Sequence, residues 1–263
     1  MSQDYTQWEH IIIDGGSTDE SIKTIQSYTH LKWISEPDSG QADAMNKGFL
    51  RSSGDIIVYL NADDYFLPGA FLSVIEAFDD GADFVVGNVL IRSERIGAQY
   101  LNTPRIDLEG MLRHWEPNSF CYNPVGYFYR REVQERCPLN IENDSSMDLE
   151  FLLAAVTLYR FTKIEKILGC YMDGLDTKTH KNQIDSNYWR PETFAYIDKY
   201  VEALPENKRI NFRADQRAGY AKIESYWQRI ERNRSSNSSV IRNSIAKWIG
   251  KLIPNPFKIG PDH

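Results

Sequence analysis

Cysteine is scarce in this chain. Of 263 residues three are cysteine, Cys121, Cys137 and Cys170, odd in number and widely spaced. No pair has metal-ligand spacing, so neither a disulfide framework nor a structural zinc site is expected, and reduced thiols fit a cytoplasmic protein. No apolar run approaches the ~20 residues needed to span a bilayer. The opening residues Met1 to Gln7 lack an apolar segment, so no signal peptide is expected. Basic charge is in deficit, with 30 Lys and Arg against 37 Asp and Glu, which argues against a nucleic-acid partner. No internal repeat and no glycine-rich, basic triphosphate loop is visible, which weighs against nucleotidyl transfer. Aromatic residues are plentiful at 13%, and serve equally for core packing or for stacking on sugars and bases.

The chain is organised around Gly54 to Asp64. Five apolar residues from Ile56 to Leu60, mostly β-branched, are too short a run for a stable helix and predict a strand buried on both faces. The strand ends in Asn61-Ala62-Asp63-Asp64. Open α/β sheets bind ligands at the carboxyl edge of their strands, and two adjacent carboxylates there call for a cation or a set of donors between them.

Around this strand the pattern alternates. A strand over 8–13 ends in Asp14. Gly15-Gly16 follows, and Ser17 with Glu20 forms a capping-box pattern that predicts a helix over 18–28. Further expectations are a strand over 31–34, a turn at 36–40, a helix over 41–51, a helix from Pro68 to Phe78 and a strand over 83–87. This alternation predicts parallel strands with crossover helices, which would bring Asp14 and Asp63/Asp64 to one edge. Later come short helices over 107–115 and 130–135 and a strand at 127–129. The cap cluster 143–146 opens a helix over 147–160, and a last strand is expected over 165–172. Beyond a polar loop lie helices over 188–204, 207–232 and 240–252, with a linker at 234–239.

Four stretches carry a resemblance. Asp14-Gly15-Gly16-Ser17-Thr18-Asp19, Asp38 to Gly48, Leu60-Asn61-Ala62-Asp63-Asp64 and Met147-Asp148-Leu149-Glu150-Phe151-Leu152 stand in an order and spacing that resembles the family-2 glycosyltransferases. The resemblance covers roughly residues 8 to 180. It implies an α/β GT-A-like (Rossmann-like) fold with a mostly parallel sheet flanked by helices over 1–186, followed by a helical C-terminal extension over 187–263. It also implies transfer of a sugar from a nucleotide-diphosphate donor, UDP-linked by expectation, to a saccharide or lipid-linked acceptor with inversion. Cell-surface polysaccharide synthesis is the family's usual setting.

By the same likeness Asp148 is the catalytic base that takes the acceptor's proton. Asp14, Asp43, Asn46 and Asp63 contact the donor. Asp64 and His180 hold a divalent cation, Mn2+ or Mg2+, that neutralises the leaving diphosphate. His180 follows Thr177-Lys178-Thr179, whereas the family's late histidine precedes such a triplet. The family's opening strand with Pro-Ser/Thr-Tyr-Asn has no counterpart in Met1 to Gln7, which predicts unpaired strand edges and an open pocket wall. The alternative function is therefore an inactive truncated relative acting as a binding or partner module. The stretch 240–257 gathers Ile241, Ile245, Trp248 and Ile249 on one face, a pattern suited to peripheral contact at the inner face of a membrane or to docking on protein.

Overall fold

The structure is a computed structural model, and it describes residues 3–94, 97–143, 145–174 and 191–234, with the side chains of 193–225 in the last stretch. His180, the 234–239 linker apart from Arg234, and the amphipathic stretch 240–257 lie outside the described residues.

Strand β1 (His10–Asp14) pairs in parallel with β2 (Leu31–Ser35), in register from His10 opposite Leu31 to Asp14 opposite Ser35. Helix α1 (Ser21–Gln26) connects them. It begins later than the capping-box pattern predicts, because the Ser17 N–H is already held by the Asp14 carboxylate at 2.9 Å and the 15–19 stretch stays a turn. Helix α2 (Gln41–Arg51) matches its predicted span and packs on β1, where Gly48 faces Ile13.

The second sheet has six strands: β3 (Ile56–Ile57), β4 (Tyr65–Phe66), β5 (Phe84–Ser93), β6 (Ala98–Asn102), β7 (Tyr127–Arg130) and β8 (Phe161–Asp173). Its order is β3-β7-β5-β8-β4, with β6 also on β5. The pairs β1–β2 and β5–β8 are parallel, as the alternation predicts. The pairs β3–β7, β4–β8, β5–β6 and β5–β7 are antiparallel, so the sheet is mixed rather than mostly parallel. The difference arises after Asn88. There the chain folds back as the β5–β6 hairpin, and β7 and β6 share one edge of β5 end to end while β8 runs along the other. A register shift lies at Gly87, where a Cβ would come within 2.5 Å of Leu168.

Strand β5 is the spine because its residues are buried on both faces. Phe84 and Val86 belong to one core with Tyr127, Tyr129 and α6 (Met147–Val156). Val85 belongs to the other, with Phe128, Leu168 and α3 (Ala70–Asp79). Stacking of Phe84 on Phe161 at 4.0 Å and on Tyr129 at 5.2 Å closes the first core. Helices α4 (Leu108–Leu112), α5 (Arg131–Arg136) and α7 (Asp198–Glu202) complete the flanks, with α8 (Glu206–Arg234) as a long final element. Gly219 of α8 lets Trp115 approach the helix backbone, and Arg113 pairs with Asp215 at 2.8 Å.

Among the described residues no ladder joins β1 to β3. Their flanks face each other across a cleft of about 610 Å³, lined by Ile11, Ile57, Phe66, Phe71, Val74 and Phe128. One end of this cleft is strapped by Glu9, whose Oε1 accepts from Ser53 N at 2.5 Å and Gly54 N at 3.1 Å. The strand edges expected to lack a partner are thus present, at the junction of the two sheets.

Candidate active site

Asp14 ends β1 and is buried. Its Oδ2 accepts from Gly16 N at 3.0 Å, Ser17 N at 2.9 Å and Ser35 Oγ at 2.6 Å. The Ser17 side chain and the Ser35 hydroxyl, then the backbone donors, hold this carboxyl down at a pKa of about 2. Asp14 is therefore ionised at neutral pH and fixes the Gly15-Gly16 turn. Gly15 has no room for a side chain, because a Cβ would lie 2.6 Å from Asp38 Oδ2.

From Asp38 a line of contacts crosses to the second sheet. Asp38 Oδ1 accepts from Gly40 N at 2.9 Å, at the start of α2. Gln41 Nε2, the first residue of that helix, donates to Asn61 Oδ1 at 2.9 Å. Asn61 Nδ2 in turn donates to Asp64 Oδ2 at 2.9 Å, and Asn123 Nδ2 reaches the same oxygen at 2.8 Å. Asp64 Oδ1 accepts from Met172 N at 2.9 Å. Asp64 is buried, and burial raises its pKa while these donors oppose the rise. Asp63 beside it is exposed.

Asn123 sits ahead of a 3-10 turn at Pro124–Gly126 and accepts from Val125 N through its own side chain. Its carbonyl receives the Cys121 thiol at 3.4 Å, and the buried Cys121 in turn senses the charge of Asp148. Asp148 lies in the first turn of α6, and its Oδ1 accepts from Tyr127 Oη at 2.7 Å. Burial raises the Asp148 pKa, with the Tyr127 hydrogen bond opposing. That is the direction that makes a carboxylate a better proton acceptor near neutrality.

Hydrogen bonds thus run from Gln41 through Asn61, Asp64 and Asn123 to Cys121, while Asp14 is held by its own turn and Ser35, and Asp148 by Tyr127. Asp43 and Asn46 are engaged elsewhere. Asp43 Oδ2 accepts from Ser39 N at 2.9 Å and pairs with Lys47 at 3.2 Å, steadying the entry to α2. Asn46 donates to Leu139 O at 2.9 Å and accepts from Gln134 at 3.2 Å, holding α2 against the segment after α5. No contact joins Asn46 to the acidic residues among the described residues. Sequence reasoning missed Ser35, Gln41, Asn123 and Tyr127. Asn123 carries a readable signal, since Asn before Pro starts turns; the other three have none outside the fold.

Among the described residues no group of three or more His, Cys, Asp or Glu side chains is placed to hold a metal ion. Asp64 already accepts three hydrogen bonds, whereas the Asp63 carboxylate is exposed. A divalent ion bound by one carboxylate with the remaining positions filled by substrate phosphates and water fits this donor set.

Residues 1–137 match the family model described as Glycosyl transferase family 2. An uncharacterized glycosyltransferase of Nostoc sp. is 29% identical over 152 residues, covering 52% of this chain and 46% of that protein. A PGL/p-HBAD biosynthesis glycosyltransferase of Mycobacterium bovis is 30% identical over 134 residues, covering 47% and 48%. The chain spans less than half the length of these curated relatives. Among solved structures, residues 1–349 of S. aureus TarS superpose with a TM-score of 0.58 at 15% identity, covering 96% of this chain and 74% of that one. The same portion in complex with UDP gives 0.54 at 14% identity, covering 87% and 85%. The fold is GT-A, with a curled mixed sheet. On the family match over more than half of its residues, the chain belongs to glycosyl transferase family 2.

Proposed function

We propose that this chain transfers a sugar from a UDP-linked donor to an acceptor hydroxyl with inversion. The observation that carries the reading is the hydrogen-bonded run from Gln41, at the start of α2, through Asn61, Asp64 and Asn123 to Cys121, with Asp14 anchored at the tip of β1 and Asp148 at the start of α6. In this reading Asp14 and the Gly15-Gly16 turn meet the nucleotide base, and Asp63 meets the donor's diphosphate end. Asp148 removes the acceptor's proton. As the acceptor oxygen bonds to the anomeric carbon, its O–H bond breaks toward the Asp148 carboxylate. The anomeric C–O bond breaks on the opposite face, and the electron pair leaves with the nucleoside diphosphate. When bound beside Asp63, a divalent cation supplies charge neutralisation to that leaving group.

The relatives support the choice of donor and setting. TarS has been crystallised with UDP and with UDP-GlcNAc, and the mycobacterial relatives are named for PGL/p-HBAD biosynthesis. We extend this to a cell-surface saccharide or lipid-linked acceptor met at the inner face of a membrane. No helix among the described residues is long and apolar enough to cross one.

A second reading, a non-catalytic module that keeps the scaffold, draws on the cleft between β1 and β3 and on the full hydrogen bonding of Asp64. Calorimetric titration with UDP and Mn2+, followed by turnover assays over a panel of nucleotide sugars, separates the two. Saturable binding with transfer from one donor supports the enzyme. Binding with no turnover on any donor, or absence of saturable UDP binding, removes the enzyme and leaves the module.

A further inference from the structure

The geometry points to Tyr127 as the positioning residue of the proposed base, its phenol aiming and holding the Asp148 carboxylate. This rests on the assignment of Asp148 made above. Tyr127 Oη donates to Asp148 Oδ1 at 2.7 Å, joining strand β7 to the first turn of α6. The phenol cannot swing away. Its ring is 2% exposed and lies against Phe84 at 5.7 Å, Tyr129 at 6.3 Å and Phe151 at 6.3 Å between centroids. Its backbone is fixed by the ladder to β5, where Tyr127 stands opposite Val86. One carboxylate oxygen is thereby pinned, and among the described residues no donor reaches the other, Oδ2, which is left for the acceptor's proton.

The titratable groups facing Asp148 are Tyr127 and Tyr129 from β7 and the thiol of Cys121. Burial raises the pKa of all three, so each stays neutral at working pH, and Tyr127 remains a donor rather than a rival charge. Lys163 on β8 acts on Cys121 rather than on Asp148. A hydrogen bond that favours the ionised form opposes the effect of burial. Tyr127 therefore sets both the direction and the basicity of the carboxylate.

The test is Tyr127→Phe, which keeps the ring and removes the hydroxyl, read by 13C NMR titration of the aspartate carboxyls. Asp148→Asn identifies the resonance, and circular dichroism checks that each variant is folded. The Asp148 midpoint is expected to move up by about one to two pH units, the scale of a lost hydrogen bond to a charged acceptor. In a transfer assay the acidic limb of kcat moves up with it while the donor KM stays put. A midpoint that stays within 0.3 unit, against about one expected, overturns the inference whether or not Asp148 is the base. A shifted midpoint alongside undiminished transfer by Asp148→Asn overturns instead the base assignment on which it rests.

Discussion

The Asn123 amide donates to the Asp64 carboxylate at 2.8 Å, joining residues 59 positions apart, with both side chains buried. Replacing Asn123 with Ala leaves a buried carboxylate oxygen short of a donor. The expected cost is about 1–3 kcal/mol of folding stability, read as a lower urea midpoint at pH 7. A loss below ~0.5 kcal/mol, the size of a neutral surface change, would show that Asp64 does not depend on this bond.

Asp63 and Asp64 are adjacent but differently employed, and the same substitution should separate them. Asp63→Asn alters an exposed side chain, so thermal stability should hold while Mn2+-dependent UDP binding weakens about tenfold or more, roughly one lost charge contact. Asp64→Asn sets an NH2 group either against the Met172 N–H or against the Asn61 and Asn123 amides, so the melting temperature itself should fall. The reverse pattern would assign the cation to Asp64.

Glu9 offers a pH signature. Its hydrogen bond to Lys32, followed by the Ser53 N–H, lowers its pKa from 4.5 to about 2. A depressed carboxylate adds stability in full above its unfolded value, and that contribution is lost as pH falls through the folded one. Wild type should exceed Glu9→Gln at pH 7 by about 1 kcal/mol, a small amount because the Lys32 end is screened by solvent. The two should converge as pH falls from 4.5 toward 2. Paired urea titrations at pH 7 and pH 3 check this, and a constant difference would refute it.

Gly126 stands where a Cβ would come within 2.3 Å of Val89 and 2.5 Å of Cys121 Sγ. Gly126→Ala should cost about 1–3 kcal/mol through overpacking. It should also disturb the turn that presents Asn123, so UDP affinity falls along with stability. Unchanged affinity in a destabilised but folded variant would separate that turn from the site.

The sequence exposed the parts that follow local rules. Helix α2 was readable to the residue because Gly40 precedes a clean amphipathic run, while β5 was readable only over its first half, since Gly87 and Asn88 interrupt its apolar residues. Asp14 was readable as a strand ending, whereas Asp63 and Asp64 stand apart from the end of β3 at Ile57 and directly precede β4. Strand direction was not readable. Residues 56–60 read as one long strand, yet only Ile56 and Ile57 pair, and their partner is the antiparallel β7, which lies some seventy residues onward and carries no signal of its own direction. The two-residue β4 fell below the length at which periodicity speaks, and Ala98-Gln99-Tyr100-Leu101-Asn102 of β6 breaks its alternation at Leu101. The donors around Asp64 and Asp148 escaped notice for a related reason. Asn123 and Tyr127 gain their roles from a fold that brings residues 61–64, 121–127, 148 and 172 together.

The separation of the β1–β2 ribbon from the larger sheet gives Asp14 and Asp148 different mechanical footing. The ribbon carries Asp14 and rejoins the body through α2, the Glu9 strap and the Gln41–Asn61 bond. Asp148 is braced by a fully buried aromatic wall. Regions with few buried partners exchange their amides at a lower free energy than the core. On this footing the end proposed to meet the nucleotide should exchange its amides more readily than the end proposed to take the proton, and loosening the first need not blunt the second.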